Sequence, residues 1–99
     1  MSTSNIEVLD EIYGIIMNRK REPVQHSYVC SLLNHDKGTD KILEKLGEET
    51  VETIIAAKNG IREDIIYESC DLIFHLMVML AAYDIELEEI TEELSSRKK

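Results

Sequence analysis

Apolar side chains return every three or four positions along almost the whole chain, which is the period of a helix and not of a strand. Ile6, Leu9, Ile12, Tyr13 and Ile16 set the first run and, with Ser4 and Glu7 spaced as a capping box, predict a helix over about residues 5–20. Arg19 to Glu22 and Pro23, the only proline, read as a basic loop, after which Ser27 to Leu33 fits a short helix. Gly38 supplies a turn, and Thr39 or Asp40 is the expected cap of a long helix running to Lys58 and stopped by Asn59 and Gly60. Another helix is expected from about Arg62 to Tyr83, and a last one from about Glu86 to Ser96 with Leu87, Ile90 and Leu94 in phase. Strand-like alternation and repeats are absent from the sequence, so the expected class is an all-α bundle. Chains of 99 residues rarely divide, so residues 1–99 are taken as a single domain.

The helix from Arg62 is apolar or small around most of its circumference, through Ile65, Ile66, Ser69, Leu72, Ile73, Phe74, Leu76, Met77, Val78, Met79 and Leu80. Such a helix should be buried on several sides. One stripe departs from that pattern, Asp64, Glu68, Asp71 and His75, which share a helix face. The preceding helix has a similar strip, Lys45, Glu48, Glu49 and Glu52, between Ile42, Leu43, Leu46 and Ile54 on one side and Val51 and Ile55 on the other. An antiparallel hairpin about Gly60 sets residues equidistant from the turn at the same height: Glu52 opposite Glu68, Glu49 opposite Asp71, and Lys45 opposite His75. Four carboxylates converging in an apolar bundle raise one another's pKa values or require a cation.

Overall charge agrees with a cation-binding role. Twenty acidic side chains against 11 basic give a formal net charge of -9, which opposes nonspecific attraction to nucleic acid or anionic lipid. Neither partner is expected. Hard oxygen donors without cysteine among them, and with histidine only at the margin, favour Mg2+, with Mn2+ as the alternative, and Mg2+ commonly meets substrate phosphates. Cys30 and Cys70 form no CxxC pair and read as reduced core residues. Met77 and Met79 read as core, Glu44 with Lys41 or Lys45 as a solvated face, and Arg97, Lys98 and Lys99 as a helix end and tail. MSTSNIEVLDE has no basic stretch leading into an apolar run, and Asp71 and His75 interrupt the best membrane-span candidate. A cytoplasmic protein is expected.

GEETVE followed by YESCDLIFHLMVML resembles the ExxE and ExxD motifs of the all-α, MazG-like nucleoside triphosphate pyrophosphatases. The wider pattern, RKREP, HSYVCSLL, KGTDKILEKLGEETVETIIAAKNG and YESCDLIFHLMVMLA, is similar to the phosphoribosyl-ATP pyrophosphatase family over about residues 8 to 94. The resemblance implies hydrolysis of phosphoribosyl-ATP to phosphoribosyl-AMP and pyrophosphate, the second step of histidine biosynthesis. Glu49, Glu52, Glu68 and Asp71 are the metal ligands it implies, with Glu48 beside them. The family usually has Thr after Ser-Tyr, where this chain has Val29; Ser27 remains as a hydroxyl for substrate.

An ionised carboxylate among Glu48, Glu49 and Glu52 would orient or deprotonate the attacking water, and the sequence does not choose among them. Lys45 and Lys41, one and two turns from Glu49, are expected to reach phosphates. Arg19, Lys20 and Arg21 are weaker candidates. His75 reads equally as a satisfied core histidine, a support for the metal ligands or a substrate contact. The apolar circumference of the Arg62 helix and the resemblance both imply a homodimer or larger homo-oligomer that completes the bundle. A MazG-like house-cleaning pyrophosphatase acting on other nucleoside triphosphates shares the metal motifs, and a non-catalytic helical dimerisation module is the rival from a different class.

Overall fold

The computed structural model describes residues 4–98, and these form five helices and no strand: α1 (Glu7–Arg21), α2 (Tyr28–Leu33), α3 (Thr39–Asn59), α4 (Arg62–Ala82) and α5 (Leu87–Ser96). Gly60 ends α3 in the left-handed region at φ 74°, its N–H reaching the carbonyls of Ala56 and Ala57. A side chain at that φ is strained, so glycine here lets the chain reverse within two residues and lay α4 antiparallel along α3. α1 packs across α4, and α2 fills the angle between α1, α3 and α4.

The core gathers where these helices meet: Tyr13 and Ile16 from α1, Val29 and Leu32 from α2, Ile42 from α3, and Met77, Val78, Leu80 and Ala81 from α4. Leu87 and Ile90 bring α5 against the same cluster. Lys20 ties α1 to the far end of α4, donating to the Ala81 carbonyl at 2.9 Å and pairing with Asp84. The ammonium sits where free carbonyls leave partial negative charge at a helix C-terminus. Lys20 is thereby committed to the fold rather than offered to a ligand. The Tyr13 hydroxyl donates to the Ile85 carbonyl and closes the turn into α5.

Several local expectations are corrected. Ser4 and Glu7 make no capping box, because α1 begins one residue after Ile6, which caps without a side-chain bond. Gly38, not Thr39 or Asp40, precedes α3, and again no side chain caps it. The reciprocal box forms instead at Glu86 and Glu89, at the start of α5. Arg19, Lys20 and Arg21 belong to the last turn of α1 and not to a loop. Cys30 is buried as expected, but Cys70 is exposed: it shares a helix face with Met77 and Ala81 but lies two turns earlier, outside the core cluster.

In the single chain the fully buried side chains of α4 all lie in its second half. Met77, Val78, Leu80 and Ala81 are buried, while Ile66, Tyr67, Ile73 and Leu76 remain open, as do Val51, Ile54 and Ile55 of α3. By length and composition α4 does qualify to cross a membrane, with a mean hydropathy of 1.6 over its best window, contrary to the expectation that Asp71 and His75 rule it out. Its place as the central helix of the bundle gives that apolarity another use. Lys99 lies outside the described residues, and Arg97 pairs with Glu93 at 3.2 Å at the end of α5.

Candidate metal centre

The hairpin brings ExxE of α3 face to face with ExxD of α4, and a threonine fixes their register. The Thr53 hydroxyl lies 2.7 Å from the Glu49 carbonyl of its own helix and 3.1 Å from the Glu68 carbonyl across the hairpin. Sequence reasoning missed Thr53. Its signal was its place one turn after Glu49 and opposite Glu68, where a small β-branched hydroxyl fits between two closely approaching helices.

Above this peg, carboxylate oxygens of Glu49, Glu68 and Asp71 come within 4.8 Å of one another, a group that can hold a metal ion. Glu49 is 6% exposed, and Glu68 and Asp71 are half-buried. Glu49 Oε2 and Glu68 Oε1 are buried with no hydrogen-bond partner among the described residues. Buried acceptors left unpaired are costly, and two of them aimed into one acidic group fit a hard cation.

The electrostatics agree. Burial pushes the Glu49 carboxyl above its ordinary pKa, and the Glu52 and Asp71 charges add to the rise. Glu68 is likewise raised, first by loss of hydration, then by Glu52, Asp71 and Asp64. Glu52 therefore bears on both buried carboxylates although it stands outside the tight trio. It is exposed and, with Glu68 and Asp64, lines an open cleft of about 170 Å³ next to the trio.

The positive side of the site lies one turn earlier on α3. Lys45 Nζ is 3.2 Å from Glu48 and 4.0 Å from Glu49, so it neutralises part of the acidic strip. Lys41 pairs with Glu44 at 3.6 Å, further from the trio. Ser27 caps α2, its oxygen accepting from the Cys30 N–H at 3.2 Å. Val29 is buried in the core, so this position faces away from the site.

His75 is 5% exposed and both its ring nitrogens are bonded within the chain. Nδ1 lies 2.7 Å from the Asp71 carbonyl, which can only accept, so Nδ1 carries the proton and Nε2 accepts from the Tyr28 hydroxyl at 2.8 Å. Tyr28 is the second residue that sequence reasoning passed over. Its phenol is held above the ordinary pKa chiefly by burial, with Lys45 lowering it and Glu49, Asp71 and Glu48 raising it, so it is a neutral donor at neutral pH.

A helical hairpin with ExxE opposite ExxD around a shared carboxylate group places the chain in the all-α, MazG-like fold class. Within that class, residues 9–98 match the family model described as phosphoribosyl-ATP pyrophosphohydrolase. Proteins named phosphoribosyl-ATP pyrophosphatase are similar along their length: that of Methanococcoides burtonii is 57% identical, covering 99% of each chain. The Clostridium novyi protein of that name is 45% identical over 96% of this chain and 84% of its own. That of Haloarcula marismortui is 40% identical over 99% of this chain and 100% of its own. The chain belongs to the phosphoribosyl-ATP pyrophosphohydrolase family.

Proposed function

We propose that the protein hydrolyses phosphoribosyl-ATP to phosphoribosyl-AMP and pyrophosphate in the cytoplasm, with Mg2+ as cofactor and Mn2+ as a workable replacement. The observation that carries this reading is the pair of unpartnered buried oxygens on Glu49 and Glu68, in a chain that matches the family almost end to end. Glu49, Glu68 and Asp71 would hold the metal, with Glu52 as the fourth carboxylate of the site. A bound Mg2+ supplies charge neutralisation for the phosphate oxygens and a more acidic water.

The remaining roles fall to the chain's own groups. Of the three candidate bases, Glu48 is held by Lys45 and Glu49 is buried, whereas Glu52 is exposed beside the cleft. Glu52 is therefore the carboxylate best placed to orient an entering water and take its proton. Lys45 exchanges its intrachain carboxylates for phosphate oxygens, and Lys41 serves the outer phosphates. Ser27 has its hydroxyl proton free to donate while its oxygen caps α2. His75 holds Tyr28 rather than substrate, because both its nitrogens are taken.

The working unit is at least a homodimer. Ile54, Ile55, Ile66, Tyr67 and Ile73 are exposed along two long helices, and a second copy would cover them. A fully active, stable monomer in sedimentation would refute this. For the reaction, pyrophosphate release from phosphoribosyl-ATP is measured with and without Mg2+, beside a panel of ordinary nucleoside triphosphates. Selective, Mg2+-dependent release supports the assignment. Turnover of another triphosphate alone discards the substrate and keeps the acidic centre; Mg2+ binding without hydrolysis of any nucleotide points to a non-catalytic module.

A further inference from the structure

Tyr28 combines features that a structural tyrosine does not need. The residue is 49% exposed at the start of α2, yet its hydroxyl is fixed to a histidine that is almost fully buried. That histidine is bonded in turn to the carbonyl of Asp71, one of the three clustered carboxylates. Two hydrogen bonds thus run from the acidic turn of α4 to one aromatic ring. Phe74 lies near-parallel to that ring, centroids 6.4 Å apart at 25°, and His75 meets both rings edge-on at 79° and 81°. The ring is therefore held in one orientation at the rim of the acidic group, with much of its surface open.

We propose that Tyr28 is a specificity-determining residue whose ring stacks on the purine base of the nucleotide while the phosphates lie at the carboxylates, and that His75 is the positioning residue that holds it. The proposal rests on the reading that the substrate is an adenine nucleotide. Aromatic rings take bases by stacking because every base presents a π-face. A ring fixed beforehand loses little freedom when the base arrives. Tyr28 then selects for a base, and the carboxylates with their cation select for a polyphosphate.

The test uses the Mg2+-loaded full chain and adenosine 5′-monophosphate as probe, with ribose 5-phosphate as the control that lacks a base. In NMR the nucleotide should move its own H2 and H8 signals and the Tyr28 ring protons upfield, and ribose 5-phosphate should leave the ring unmoved. Tyr28→Leu should abolish those shifts and raise KM for phosphoribosyl-ATP by roughly 5- to 150-fold, the range for one base on one ring, mainly in KM rather than kcat. Tyr28→Phe keeps the ring and loses the bond, so its KM should lie between those of wild type and Tyr28→Leu. His75→Gln should act in the same direction, and the double variant with Tyr28→Phe should be no worse than the more impaired single, since both substitutions break the same Tyr28–His75 bond.

The absence of an upfield shift in the wild-type protein overturns the proposal, and so does a Tyr28→Phe variant as impaired as Tyr28→Leu. Additive losses in the double variant remove the positioning role of His75. The two readings separate cleanly. Base shifts without turnover of phosphoribosyl-ATP strike the proposed reaction alone, and turnover without base shifts strikes Tyr28 alone.

Discussion

Replacing Glu49 by Gln should stabilise the metal-free protein and at the same stroke remove its stabilisation by Mg2+. Oxygens of Glu49 and Asp71 lie within 4.8 Å, and at an effective dielectric of about 20 a fully charged pair at that spacing repels by about 3 kcal/mol. Asp71 is only half-buried, so solvent reduces the repulsion relieved to the order of 1 kcal/mol. The new amide can also donate to Glu68 Oε1, which has no partner among the described residues. For a domain of this size about 1 kcal/mol raises Tm by roughly 4–8 °C. Conversely, Mg2+ at about 100 times its Kd adds about 2.7 kcal/mol to the wild type, or roughly 10–20 °C.

Thermal unfolding at fixed protein concentration, in EDTA and in Mg2+, measures both effects. The expected pattern is a variant that melts above wild type in EDTA and below it in saturating Mg2+. A variant that melts lower in EDTA, or that gains as much from Mg2+ as wild type does, would refute the placing of Glu49 in a repelling, cation-seeking group.

Asp71→Asn should cut pyrophosphate release from phosphoribosyl-ATP by at least about 100-fold while leaving the helical circular-dichroism signal unchanged, since it removes a charge from the site and no apolar contact; near-wild-type turnover would take Asp71 out of the metal site. The raised carboxyls of Glu49 and Glu68 stabilise the metal-free fold relative to its charged form below their unfolded pKa of about 4.5, and that stability is lost as pH rises through the folded values. In EDTA, Tm should therefore climb as pH is lowered from neutrality toward the ordinary carboxylate range, and in Mg2+ it should fall as protons displace the ion; parallel curves in the two buffers would sink this. Gly60→Ala should cost about 1 kcal/mol in denaturant unfolding through its φ of 74°, whereas Gly47→Ala, mid-helix with open space for a Cβ, should gain about 1 kcal/mol. Equal effects of the two would mean that the turn at Gly60 is not held in the left-handed region.

What the sequence determined by itself is what chain-local geometry controls. Each of the five helices lies within about two residues of its expected limits, because apolar period, Gly60 and the polar breaks act over a few positions. The facing of ExxE and ExxD was equally legible, since both motifs count from one turn. Tertiary structure decided the rest. Ser4 and Thr39 had the right residue types for caps, but where a helix begins depends on the packing that holds its first turn, and α1 starts one residue after Ile6 while α3 follows Gly38. Cys70 and Met77 sit on the same apolar helix, and only the arrangement of α1 and α2 leaves one exposed and buries the other. The Tyr28 to His75 bond joins residues 47 apart in sequence, and no local period signals it. Helix formation is read from neighbours in the chain, whereas a satisfied buried imidazole is the outcome of three helices meeting at one place.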